Sequence, residues 1–200
     1  MMKRIVCVLA LVFVVLALAG AAKADPIVLT TTLAGTNEVP PNASPGTGSA
    51  VVTLNGHMMT VSITFSGLLG NTTASHIHCC TSPGANAMVA TTTPTFPGFP
   101  SGVQAGTYTQ TFDLTLASSY NPAFITAHGG TVTQAEADFV AGLLAGQTYL
   151  NVHTNLFPGG EIRGQLQVVP EPVTFVLLGT GLAGLALRRR RKARANLKAQ

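Results

Sequence analysis

The sequence predicts a mainly β domain of antiparallel strands with one short inserted helix. Three observations predict it. Residues 25–168 fall into short runs in which apolar and polar residues alternate, with Thr, Val, Ala and Gly prominent. Pro, Gly and Asn punctuate those runs at close intervals. An Asn-Gly pair, Asn55-Gly56, joins two of the clearest runs, and such a pair supplies the positive φ angles that a two-residue hairpin turn needs.

The elements follow in order. Ala50 to Leu54 and His57 to Phe65 form the hairpin around Asn55-Gly56, with Leu54 facing His57 and Val52 facing Met59. That register places Val52, Leu54, Met59, Val61, Ile63 and Phe65 on one side. Residues 91–106 hold Pro94, Pro97 and Pro100 and read as a loop. In the strand over 107–116, Tyr108, Phe112, Leu114 and Leu116 share a face. Pro122 to Ala127 offers a shorter helical stretch that the pattern supports less well, and His128 reads as a helix-end residue before Gly129-Gly130. The inserted helix starts at a capping box, Thr133-Gln134-Ala135-Glu136. It carries the stripe Phe139, Val140, Leu143 and Leu144 and closes at Gly146. Thr148 to Thr154 turns Leu150 and Val152 inward, and Glu161 to Val168 does the same with Ile162, Leu166 and Val168. Glu161 and Arg163, two apart, read as a surface pair.

Both ends differ in kind from this body. Lys3 and Arg4 precede the uncharged run Ile5 to Gly20, and Ala22-Lys23-Ala24 forms a small-x-small site, so residues 1–24 read as a signal peptide cut by signal peptidase between Ala24 and Asp25. The run is shorter than the ~20 residues of a spanning helix. At the other end the apolar segment Val173 to Leu187 runs into Arg188, Arg189, Arg190, Arg191 and Lys192. Its 15 residues rise about 22 Å as a helix, so flanking residues must help it span the membrane. The basic cluster and a tail over 193–200 stay cytoplasmic.

Setting the ends aside reverses the charge. Of the 11 Lys and Arg, only Arg163 lies within 25–169, against Asp25, Glu38, Asp113, Glu136, Asp138 and Glu161, which leaves −5. An anionic body disfavours nucleic acid as a partner.

The reactive side chains concentrate in Ser75-His76-Ile77-His78-Cys79-Cys80. On a strand His76 and His78 share a face, and His153, on the polar face of its own strand with Tyr149 and Asn151, supplies a third nitrogen if the strands are neighbours. Copper or zinc suits such ligands, and strand alternation puts Cys80 on the same side as a fourth. The competing reading has the histidines hydrogen-bonded to backbone or to each other near a sheet end with no cofactor at all. Cys79 and Cys80 are the two thiols left after signal cleavage, with a vicinal disulfide, free thiols, intermolecular bridges and metal ligation all open to them. No G-x-S-x-G nucleophile motif occurs, and no catalytic residue is assigned.

Two resemblances extend this reading. Pro170-Glu171-Pro172, then the Gly-containing apolar segment, then Arg188 to Arg191, resembles the PEP-CTERM sorting signal of Gram-negative bacteria over residues 169–192. The resemblance implies a chain transiently anchored in the inner membrane, cut by an exosortase near Pro-Glu-Pro, and delivered to the cell surface or an exopolysaccharide matrix. Leu33 to Pro41, Ser75 to His78, and Tyr149 to Thr154 leading into Phe157 to Leu166 together look like a CHRD domain, the module named after chordin, over 25–168. That resemblance implies an extracellular β-sandwich, immunoglobulin-like or superoxide-dismutase-like, acting as a non-enzymatic structural or binding module, with exopolysaccharide or surface proteins as partners. Cys79-Cys80 departs from the commoner pattern after the HxH. The HxH is also similar to the copper-binding strand of Cu/Zn superoxide dismutases, although the further histidines and aspartate of that bimetal site have no counterparts here.

Overall fold

The computed structural model describes residues 25–170 and, beyond them, residues 179–182, 184, 185, 188 and 189, which are helical. The predicted signal peptide through Ala24, Glu171, Pro172, Arg190, Arg191 and most of the 173–187 span lie outside the described residues. Among the described residues no helix is long and apolar enough to cross a membrane.

The body is mainly antiparallel β. Its strands are β1 Ile27–Ala34, β2 Thr47–Asn55, β3 Met58–Ser66, β4 Thr72–Cys79, β5 Met88–Val89, β6 Gly106–Asp113, β7 Thr148–Thr154, β8 Ile162–Gln165 and β9 Gln167–Val168. Two helices, α1 Pro122–Ala127 and α2 Val132–Leu144, stand between β6 and β7. The sheet runs β5-β4-β7-β8-β1-β2-β3-β6, with β9 also on β1. β1 is where it curls: β2 pairs along the whole strand, whereas the other edge meets β8 at Ala34↔Arg163 and β9 at Leu29↔Val168 and Thr30↔Gln167. The two halves close on one core. Leu29, Leu33, Val52, Val61, Ile63 and Phe65 come from one side, and Ile77, Leu150, Val152 and Ile162 from the other, each no more than 2 % exposed.

The hairpin forms with a shifted register. Leu54 pairs with Met59 and Val52 with Val61, so the loop is Gly56-His57 instead of Asn55-Gly56. Gly56 has φ of 59° and no described non-glycine residue has positive φ, which favours a turn with glycine at its first central position. The shift is an even number of residues, so all six predicted residues still face the core.

Other boundaries move for local reasons. β6 ends at Asp113, whose side chain accepts from the backbone and hydroxyl of Thr115, and Leu116 is left exposed. Val168 sits on the two-residue β9 and is also exposed. α1 is a second helix: Asn121 Oδ1 accepts from Ala123 N at 3.0 Å and Pro122 opens the first turn. α2 begins two residues earlier than the capping box predicts, because Thr131 Oγ1 takes the Gln134 N–H at 3.2 Å. Its buried face is Ala135, Phe139, Gly142 and Leu143, with Leu144 exposed. It ends as expected at Gly146, with Gly146 N bonded to Leu143 O and Gln147 N to Gly142 O. His128 caps α1 and ties it to α2, its Nδ1 lying 2.9 Å from Asp138 Oδ2 and its ring stacked on Phe124.

Candidate metal centre

β4 and β7 are antiparallel neighbours, pairing Ala74 with His153, His76 with Asn151 and His78 with Tyr149, while Asn151 pairs onward with Arg163 of β8. Period-two alternation sends Ile77, Leu150 and Val152 into the core and puts His76, His78, His153, Tyr149, Asn151 and Arg163 on the opposite face. Loops roof that face. His76 and His78 are 6 % and 8 % exposed, and Tyr149, Asn151 and Arg163 are each at 2 %. One ring nitrogen from each of His76, His78 and His153 lies within 4.8 Å of the other two.

The loop carbonyls fix the proton on each ring. His76 Nε2 lies 2.6 Å from Pro94 O, His78 Nδ1 2.8 Å from Ala87 O, and His153 Nδ1 2.9 Å from Pro158 O. A carbonyl only accepts, so each of these nitrogens carries the hydrogen, and in a neutral ring the other nitrogen carries none. The bare nitrogens are therefore His76 Nδ1, His78 Nε2 and His153 Nε2. Two of them face each other at 3.3 Å, and His78 Nε2 is buried with no hydrogen-bond partner. The rings stay neutral. Burial pulls His76 and His78 down to about 4, and it lowers His153 as well.

Around the histidines lies a polar cluster, of which sequence reasoning placed Tyr149 and Asn151 on the histidine face but missed Arg163 and Glu38. Tyr149 stacks on His78 with ring centroids 4.6 Å apart, and the Arg163 guanidinium sits 3.3 Å from the Tyr149 centroid. Arg163 donates to Asn86 Oδ1 at 2.9 Å and to Ala85 O at 2.7 Å. Glu38, 6 % exposed, lies beneath Gly160 with Asn151, and burial pushes its carboxyl up to about 7. The signal in the sequence is that Arg163 is the lone cation of residues 25–169. Glu161 does not form a surface pair with it. Glu161 is fully buried, accepting from Ser44 Oγ, Leu69 N, Gly70 N and Thr154 Oγ1 at 2.6–3.1 Å.

Cys80 does not join the histidines. β4 ends at Cys79, the two cysteines are joined to each other, and both sulfurs pack on Gly142 of α2.

Residues 29–166 of this fold, which include all three histidines, match the CHRD domain. The chain belongs to the CHRD domain family. Residues 168–191 match the PEP-CTERM protein-sorting motif, so the CHRD domain is carried by an exported, exosortase-sorted chain. No curated protein and no solved structure matches it. Of the sorting residues, Pro170, Arg188 and Arg189 are among those described.

Proposed function

We propose that this CHRD protein is a non-enzymatic binding module that carries one transition-metal ion, copper or zinc, on His76, His78 and His153 outside the cell. Signal peptidase frees Asp25, the C-terminal helix holds the chain transiently in the inner membrane, and exosortase cleavage near Pro170 delivers the domain to the surface or an exopolysaccharide matrix. The observation that carries the metal is the pair of hydrogen-free nitrogens, His76 Nδ1 and His153 Nε2, facing each other at 3.3 Å. Two lone pairs at that distance repel unless a positive centre lies between them. A proton there would leave a buried imidazolium, which burial opposes; a metal ion takes both pairs and the orphaned His78 Nε2. Nitrogens sharing an ion at ~2.0–2.1 Å sit about 3.3–3.5 Å apart, matching the observed pair. Each ring also has the carbonyl partner on its far nitrogen that metal-binding histidines require.

The non-enzymatic part of the reading is supported by the CHRD domain and the PEP-CTERM motif, neither of which is an enzyme family. Elemental analysis of the processed protein recovered from its producing cells tests the reading. One equivalent of copper or zinc is expected, with none in a His76→Ala/His78→Ala variant of unchanged circular dichroism. Metal-free protein that also fails to take up either ion on titration would refute it.

A further inference from the structure

We infer that the three-histidine centre selects a monovalent ion, copper(I), over zinc(II) and copper(II). The inference rests on the reading that these histidines bind metal, and it names which metal from the charge around them.

The centre supplies no negative charge. All three donors are neutral imidazoles whose remaining N–H groups are committed to Pro94, Ala87 and Pro158 carbonyls, so none is placed to become an imidazolate. No carboxylate belongs to the group of ligands, and the cysteine that alternation would have added is bonded to its neighbour. The surroundings add positive charge instead. Arg163 lies on the Tyr149 ring, which in turn lies on His78, and its own hydrogen bonds go to neutral acceptors, Asn86 Oδ1 and Ala85 O. Glu38, the carboxyl on the same face, is held against Asn151 beneath Gly160, outside the ligand group; it attracts Arg163, but burial holds it toward its neutral form.

Charge magnitude then decides which ion enters. The cost of taking an ion out of water grows with the square of its charge, so a dication asks about four times what a monocation does. Repulsion from the guanidinium doubles. Divalent ions normally recover these costs from carboxylate or thiolate ligands, or from a bound hydroxide, and the first two are absent from the ligand group. Coordination number points the same way. Zinc completes a tetrahedron with a fourth ligand and copper(II) prefers a tetragonal set, whereas a d¹⁰ monocation is satisfied by three nitrogens. His76 and His78 are more than nine-tenths buried, so a water that made up the deficit would have to enter on the half-buried His153 side.

Competition titrations on the processed protein test this. Copper(I) is measured against bicinchoninate under anaerobic ascorbate, and zinc(II) and copper(II) against chromophoric chelators of known affinity, with silver(I) as a redox-inert monovalent probe. Copper(I) is expected to bind one to one, at least about 100-fold tighter than zinc(II), and to be displaced by silver(I). In Arg163→Met the guanidinium is lost, and the dication should gain the square of what the monocation gains, about tenfold for zinc(II) against about threefold for copper(I). Zinc(II) or copper(II) binding as tightly as copper(I) overturns the selectivity while leaving the metal centre in place. Failure of all four ions to bind removes the metal reading itself. Should Arg163→Met not fold, the ranking in the unaltered protein decides alone.

Discussion

Glu161 is a carboxylate with no exposed surface, closed in by four donors from three parts of the chain. Burial alone would raise its carboxyl; the donors outweigh it and hold it below the usual range. Glu161→Ala strands Ser44, Leu69 N, Gly70 N and Thr154 without their acceptor and should cost about 3 kcal/mol or more in urea unfolding, with Glu161→Gln costing less. The histidines set a pH dependence. Their folded values lie below 6.5, so between pH 6.5 and about 4 the unfolded chain binds more protons than the native one, and stability present above that window is lost as pH falls through it. Glu38 opposes them, since its raised value near 7 gives stability at low pH that fades as pH rises from 4.5. Against two or three histidines one carboxyl is outnumbered. Metal-free protein should lose about 1.4 kcal/mol or more per pH unit between pH 6 and 5, read from denaturant midpoints, and Glu38→Gln should steepen the loss.

Packing between elements explains why the cysteine pair does not serve the histidine face. At the end of β4 both sulfurs lie on α2 where Gly142 leaves room; a Cβ there would come within 2.5 Å of Cys79 Sγ and 2.8 Å of Cys80 Sγ. Alanine is the better helix former by about 1 kcal/mol, yet Gly142→Ala should lower the melting temperature, because the overlap costs about 1–3 kcal/mol. In a Cys79→Ala/Cys80→Ala protein the same substitution should become stabilising by about 1 kcal/mol; a loss in both would show that something other than the sulfurs crowds the site. The helix itself was legible as a period-3.6 stripe, and its close at Gly146 was too. Its start was misplaced because Thr131 and Thr133 both precede a Gln or Glu three residues on, and only the packed helix shows which hydroxyl takes the free N–H.

For the molecule as a whole, the described strands are complete within the first residue of the sorting motif, which starts at residue 168. β9 ends at Val168, and Val169 N to Val28 O at 2.8 Å ties the strand back onto β1. Cleavage beyond Pro170 therefore removes no strand. A chain ending at Pro170 should melt within about 2 °C of the full-length protein, whereas one ending at Leu166 loses the β1–β9 pairing and should melt about 2–4 °C lower for each kcal/mol forfeited. A large drop on the first truncation would mean that the C-terminal segment stabilises the domain.

The sequence by itself determined the β class, most of the inward faces and the C-terminal sorting motif, because alternation, turn residues and short motifs act through near neighbours along the chain. It also determined which histidines share a side, since parity survives a register shift of two, as the Gly56 hairpin shows. Tertiary structure alone decided that β4 and β7 are adjacent, that loop carbonyls hold the hydrogens of three clustered imidazoles on their outer nitrogens, and that Glu161 and Arg163 are buried apart. Those outcomes depend on which distant segments roof a strand face, and no local pattern of residues encodes that.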